Sequence, residues 1–402
     1  MNSGLYTRGC YRLLLHIPQV ASKSLTTAPP STGDFFINFL AYLSRKPVLV
    51  LNLQIFGASY GLLFAIKALL AGHHVRVVCT ETEAELINGE GIQVTFPHVS
   101  RAGPTVLRSC DLPGQLIATL PDKADLAGVD LAVLAMQEPQ YRAPEIRQLL
   151  HAVAAAETPC VSIMNLPPLA FLKRFEQIDT TNCASAYTNA DIWAEFNPNC
   201  ITHCSADPQA VRPNSDASNT LKVNLPTNFR AAPFADISHT NTLQILADTI
   251  KGASLAGAAI ASPTPVRLKV AASPYMGFSK LPMLITGNYR CLHNDGLRSI
   301  KDAVHTDLHL SRSIYESVCA GLQRLGSPHN TIVPFEQYAA AACALEAPSS
   351  AAQALARGVP AIERVDRLVQ LLLQQKQRPL PELDNIVAQV DNRLSANRAT
   401  AA

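Results

Sequence analysis

Between residues 57 and 61 the chain reads Gly57-Ala58-Ser59-Tyr60-Gly61, a spacing that serves two chemistries. Glycines in a strand-to-helix turn let the backbone approach a pyrophosphate, whose charge then faces the free N–H groups at the helix start. On that reading Gly57, Ala58, Ser59, Tyr60 and Gly61 cradle a dinucleotide. The same five residues also spell G-x-S-x-G, the elbow that exposes a serine nucleophile for acyl transfer. On that reading Ser59 attacks a carbonyl carbon.

The surrounding elements separate the two. An apolar run, Val48–Phe56, precedes the turn and reads as a strand; a helical pattern, Leu62–Ala71, follows it. Gly72 then ends the helix, and Val75–Cys79 reads as a second strand. Strand, turn, helix and strand in that order open a nucleotide-binding sheet. A hydrolase elbow needs several strands and an oxyanion loop ahead of it. The 46 residues before Pro47 show neither. Position therefore favours dinucleotide binding over the elbow, and over a tight turn with no ligand.

Further along, Ile92–Phe96, Asp130–Met136 and Cys160–Met164 read as strands and Ala143–Ala156 as a helix. The run at Asp130–Met136 is continuously apolar rather than alternating, as expected of a parallel strand covered on both faces. Residues from about Asn182 to Ser218 are rich in Asn, Asp, Pro and Ser and read as loop. Leu221–Leu225 and Val266–Val270 read as strands, and His239–Lys251 as a helix. From Ser279 onward Ala-, Leu- and Gln-rich helical patterns dominate, and Arg393–Ala402 reads as a frayed tail. The expected fold class is α/β: an N-terminal Rossmann-type doubly wound sheet followed by an all-helical C-terminal domain. The expected division is an extension over 1–46, a dinucleotide-binding domain over 47–270 and a helical domain over 271–402.

Composition limits the function. The chain has 402 residues, 48% of them hydrophobic and 16% charged, with net charge +2. That describes a soluble enzyme-like protein and gives no electrostatic case for nucleic acid. No apolar run is long enough to span a membrane. The ten cysteines include no CxxC pair, and Cys200 and Cys204 around His203 match no zinc spacing; they read as thiols of a reducing, cytoplasmic compartment. Residues 1–33 contain Arg8, Arg12 and Lys23 but no acid, which suits a disordered leader, a transit peptide or a start codon placed too early.

From about Pro47 to Leu394 several motifs line up in order with one family. Gly61 precedes Ala71-Gly72-His73-His74-Val75 at the spacing of a third dinucleotide glycine. Ile163-Met164-Asn165, Ser279-Lys280-Leu281-Pro282-Met283-Leu284-Ile285-Thr286-Gly287-Asn288, Pro348-Ser349-Ser350 and Glu363-Arg364-Val365-Asp366 follow. The chain resembles the ketopantoate reductase (2-dehydropantoate 2-reductase) family, with an insertion before Lys280. The resemblance implies reduction of a small 2-keto acid by NADP or NAD in a cleft between a Rossmann domain and a helical domain, as in pantothenate biosynthesis. It also implies a monomer or homodimer whose only other partner is the small-molecule substrate.

Residue by residue, the resemblance implies a general acid at Lys280. Hydride addition builds negative charge on a ketone oxygen, and a nearby ammonium stabilises that charge and gives up its proton. Asn288, Ser350 and Asn294 would touch substrate, and Asn165 would bridge substrate and cofactor, since its amide donates and accepts at once. Glu363 would meet the cofactor ribose, and Gln137 stands where the family has a lysine. Leu284 and Leu166 replace the family's asparagine and glycine. Thr80 stands where the family has an arginine for the 2′-phosphate, and Glu81 follows it. A carboxylate there repels a phosphate and accepts from a ribose diol, so the expectation is a preference for NADH or the loss of a strong preference. Two other readings stay open: a serine hydrolase using Ser59, and a non-catalytic dinucleotide-binding protein.

Overall fold

The computed structural model describes residues 49–100, 103–205, 207–213, 218–254, 265–293 and 296–401. The expected leader over 1–46 lies outside the described residues. The first part of the chain builds β1 (Asn52–Phe56), α1 (Tyr60–Leu70), β2 (His74–Val78), α2 (Glu81–Glu90), β3 (Gln93–Ser100), β4 (Gly103–Arg108), β5 (Leu116–Thr119) and β6 (Leu131–Leu134). Next come α3 (Pro144–Ala155), β7 (Cys160–Ile163), α4 (Leu169–Leu172), α5 (Ala190–Glu195), β8 (Ile201–Ser205), β9 (Gln209–Val211), β10 (Thr220–Leu225), β11 (Phe229–Ala231), α6 (Ile237–Gly252) and β12 (Leu268–Val270). The remainder is helical: α7 (Leu281–Thr286), α8 (Ile300–His305), α9 (Leu308–Arg324), α10 (Phe335–Ala342), α11 (Ser350–Ala356), α12 (Val365–Gln375) and α13 (Pro381–Ala401). Among its described residues the only strands are those of a short hairpin pairing Leu292–His293 with Gly296–Leu297.

Eight strands form one sheet in the order β12-β11-β8-β7-β6-β1-β2-β5. All its pairings are parallel except β11 with β8. Chain order reverses between β1 and β6, so the connections leaving their carboxyl ends run to helices on opposite faces and open the crevice where doubly wound sheets take ligands. The strands are buried because helices cover both faces. On one face α1 packs Leu62, Leu63, Ile66 and Leu69 against Leu53, Ile55 and Val77, beside Leu243 and Leu246 of α6. On the other, Leu149, Leu150 and Val153 of α3 share one continuous core with Phe56, Leu134, Leu281, Ile285, Leu368 and Val390. The helical half is thus anchored to the sheet by the same apolar surface that folds the sheet. β3, β4, β9 and β10 form a second, four-stranded sheet in the order β4-β3-β10-β9.

Two expectations are overturned. The stretch from about Asn182 to Ser218 is not a loop. It supplies α5, β9 and the fully buried β8, whose Ile201 pairs with Cys160. The polar residues of β8 misled because they find partners: Thr202 donates to the Ala232 carbonyl at 2.9 Å, and His203 Nδ1 lies 3.2 Å from Ser162 Oγ. Polarity in a buried strand is tolerated when every group finds a partner. The C-terminal segment is also no frayed tail, because α13 continues to Ala401, with Leu394 in the core and Asn397 donating to the Leu355 carbonyl.

Candidate functional site

The glycine turn sits at the reversal of strand order. Gly57 has φ +98°, and its N–H donates to the Val78 carbonyl at 2.9 Å, tying the end of β1 to the end of β2. A Cβ on Gly57 would lie 2.6 Å from Met136 Cγ and 3.3 Å from the Ala135 carbonyl oxygen, just beyond β6. A Cβ on Gly61 would lie 2.7 Å from Ile55 Cγ2, so this glycine lets α1 pack closely on β1. Ser59 is the residue before α1, is exposed and makes no capping hydrogen bond with its side chain. A cradle with a bare helix start fits a pyrophosphate. Ala58 is buried and Tyr60 is half-buried, its ring edge-on to Phe229 at 6.1 Å.

Lys280 comes from the helical half. It immediately precedes α7, with Pro282 in that helix's first turn, where proline costs no hydrogen bond. Its Nζ lies 2.9 Å from Asp207 Oδ1, with both side chains largely covered. Asp207 also accepts from Ser205 Oγ at 2.5 Å, at the end of β8. The Tyr60 hydroxyl is pushed up by burial and then by the negative charge of Asp207. His203, buried beside this pair, is driven down to about 3 by burial first and then by the Lys280 charge, with Asp207 opposing. It is a neutral imidazole near pH 7.

A second cluster lies at the ends of β6 and β7. Glu363 is buried; it accepts from the Asn165 amide N–H at 3.1 Å and the Glu138 amide N–H at 3.4 Å. Burial raises its carboxyl to about 7, against the lowering effect of those donors, with the charge of Glu138 adding to the rise. Glu138 is itself buried. It accepts from Thr188 N–H at 3.0 Å, Asn189 N–H at 3.0 Å and Trp193 Nε1 at 3.2 Å. The Tyr289 hydroxyl donates to the Glu363 carbonyl and accepts from Val365 N–H at 3.1 Å. The neighbouring Asn288 carbonyl accepts from Ser349 Oγ at 2.7 Å. Asn165, Glu363, Asn288 and the Ser349-Ser350 turn are thus linked by contacts running from the sheet into the helices.

The structure places the other expected residues as follows. Asn288 is not on the same α-helix as Lys280, because α7 ends at Thr286 and Asn288 begins a 3-10 turn. Ser349, not Ser350, is the buried serine: it caps α11 by accepting from Ala352 N–H at 3.2 Å, while Ser350 is exposed. Gln137 is exposed, and its N–H donates to Gln140 Oε1 at 2.8 Å. Thr80 caps α2 and donates through Oγ1 to Glu83 Oε2 at 3.0 Å, and Glu81 is exposed in the first turn. Asn294 lies outside the described residues. Asp207, His203, Glu138 and Tyr289 carry no recognisable spacing in the sequence. The nine described cysteines are free thiols, and no group of His, Cys, Asp or Glu suited to a metal occurs among the described residues. No described helix is long and apolar enough to cross a membrane.

No family model matches the chain, and no curated protein matches it in sequence. Solved structures do match in fold. A PanE/ApbA family ketopantoate reductase from Ralstonia eutropha JMP134 is 14% identical with a TM-score of 0.59, over 87% of this chain and 100% of that one. The 2-dehydropantoate 2-reductase from Methylococcus capsulatus is 14% identical with a TM-score of 0.58, over 86% of this chain and 98% of that one. D-mandelate dehydrogenase, solved with NADH, is 13% identical with a TM-score of 0.55, over 86% of this chain and 99% of that one. With a doubly wound sheet, a glycine turn at its crevice and a helical second half, the chain has the fold of the ketopantoate reductases.

Proposed function

We propose that the chain is an NAD(P)H-dependent reductase of small 2-keto acids, cytoplasmic and a monomer or homodimer, in two lobes divided near residue 270. The observation that carries this reading is the Lys280–Asp207 pair at 2.9 Å, which ties a cation from the helical half to the chain just past β8 of the sheet. A bound reduced nicotinamide would supply hydride to C2 of the keto acid. The turn Gly57, Ala58, Ser59, Tyr60 and Gly61 holds the pyrophosphate, Gly57 by letting the backbone approach it and the start of α1 by its free backbone N–H groups. Asn165 and Glu363, fixed to each other, orient the nicotinamide end, and Asn288 and Ser350 face the substrate.

Lys280 performs the proton step. As hydride adds to C2, the carbonyl π pair moves onto oxygen and the Lys280 ammonium gives that oxygen a proton, leaving a 2-hydroxy acid and a neutral amine. Solvent returns the proton to Lys280. Asp207 positions Nζ throughout.

The test is titration with NADPH and NADH, read by reduced-cofactor emission, followed by a panel of 2-keto acids assayed for cofactor oxidation. Saturable binding and turnover of one acid are expected. Lys280→Ala should then lower turnover by about a hundredfold to ten-thousandfold and leave cofactor affinity nearly unchanged. Binding without turnover of any acid would favour a dinucleotide-binding protein without catalysis. Absence of binding at millimolar cofactor would remove the reductase reading.

A further inference from the structure

The adenosine end of the crevice holds an arginine that the sequence gives no reason to place there. Arg212 follows β9, the edge strand of the four-stranded sheet. Its Nη2 donates to the Ala58 carbonyl at 3.0 Å and pairs with Glu83 Oε1 at 2.8 Å. Ala58 belongs to the glycine turn and Glu83 to the first turn of α2, so one guanidinium spans the ends of β1 and β2. In a doubly wound sheet that is where the adenosine ribose lies and where its 2′ substituent is read.

Two further observations define its chemistry. Among the described residues the hydrogen bonds of Arg212 run through Nη2 alone, and Nε is buried with no partner. A guanidinium has five N–H donors in a fork that matches a phosphate. The acids nearby are also compromised as diol acceptors. Glu83 is spent on Arg212 and on Thr80, whose N–H and Oγ1 it accepts at 3.2 and 3.0 Å, and Glu81 is exposed. The positive charge at the end of β2 therefore comes from the second sheet, not from β2 itself.

We infer that Arg212 is the specificity-determining residue of the cofactor site. It exchanges Glu83 for the 2′-phosphate of a phosphorylated dinucleotide, so that the chain prefers NADPH over NADH despite Glu81. This rests on the dinucleotide reading above. The exchange leaves Glu83 to the Thr80 cap and requires no movement of the glycine turn.

The experiment measures the affinity of the full chain for NADPH, NADH, 2′,5′-ADP and 5′-AMP by calorimetry, without any substrate. The wild type should bind NADPH at least about tenfold more tightly than NADH, and 2′,5′-ADP more tightly than 5′-AMP. Arg212→Gln should erase both preferences by weakening the phosphorylated ligands about tenfold to a hundredfold, with NADH affinity kept within about threefold. Arg212→Lys keeps the charge, should retain part of the preference, and decides the matter if the glutamine variant fails to fold. An unchanged NADPH-to-NADH ratio in both variants, or a wild type that favours NADH, would overturn the role of Arg212 and leave the dinucleotide reading standing. Failure of every ligand to bind the wild type would overturn both.

Discussion

Lys280 Nζ and Asp207 Oδ1 are 2.9 Å apart, yet they come from opposite halves of the fold, one at the start of a helix on the second half and one just past β8 of the sheet. A lysine stem has four rotatable bonds, so a fixed counter-charge is what turns it from a diffuse cation into a positioned one. Asp207→Asn removes the charge and keeps the shape. In keto-acid reduction it should lower kcat by about tenfold to a hundredfold, the penalty of a misplaced catalytic group, with cofactor affinity within about threefold. Asp207→Glu should recover part of the loss. Equal kcat in wild type and Asp207→Asn would mean that the pair only packs the cleft.

The two glycines of the turn do different things, and substitution separates them. Gly61→Ala pushes a methyl to 2.7 Å from Ile55 Cγ2 in a fully packed layer, so it should destabilise by about 1–3 kcal/mol through overpacking. Gly57→Ala meets the movable Met136 side chain at 2.6 Å, but it must also hold φ +98°, at a cost of roughly 1–2 kcal/mol. Because Gly57 borders the crevice, its variant should lose cofactor affinity more than Gly61→Ala does at matched stability. Urea unfolding and cofactor titration of both variants decide this; equal affinity losses would deny Gly57 its place at the ligand.

The sheet was legible because its signals are local. The apolar runs at β1, β6 and β7 and the helical period of α1 are each contained in a dozen residues, and the Gly57-to-Gly61 turn lies between two of them. β8 was not legible, because Thr202, His203 and Ser205 are polar and only their tertiary partners make burial tolerable. The site divides the same way. Lys280 and Glu363 stood out through motif spacing, whereas Asp207 and Arg212 matter through contacts at sequence separations no pattern encodes. The Ser349-Ser350 pair is ambiguous in sequence, since a helix cap and a substrate contact use the same residue type. Capping belongs to Ser349.

Glu363 makes stability depend on pH with a definite sign. Its carboxyl is raised to about 7 in the folded chain, with burial as the largest cause, from an ordinary value of 4.5. The folded state therefore keeps a proton that the unfolded state releases. The stability linked to this proton is fully present below about pH 4.5 and is lost as pH rises through about 7, amounting to about 3 kcal/mol in all. Glu363→Gln mimics the protonated acid. Its unfolding free energy should match the wild type near pH 5 and exceed it by up to that amount near pH 8. Parallel pH curves from denaturant titrations would show that Glu363 is charged at both values.

Glu138 offers the sharpest stability test, because the chain's single tryptophan reports on it. Its carboxylate accepts from Thr188 and Asn189 amides and from Trp193 Nε1, which is fully buried, so truncation strands three donors at once. A buried donor left unsatisfied costs about 1–3 kcal/mol, and an unpaired cluster does not relax easily when its backbone is held by α5 and the loop before it. Glu138→Ala should therefore destabilise by about 3 kcal/mol or more, measured by urea unfolding followed through Trp193 emission. The native emission of Trp193 should also change, because the indole loses its acceptor. Glu145→Ala, on the exposed first turn of α3, should cost less than about 0.5 kcal/mol and leave that emission alone. If Glu138→Ala behaved like Glu145→Ala, the carboxylate would not be the anchor that holds residues 188–193 against the end of β6, and the rigid setting it gives to Glu363 would have to come from Asn165 alone.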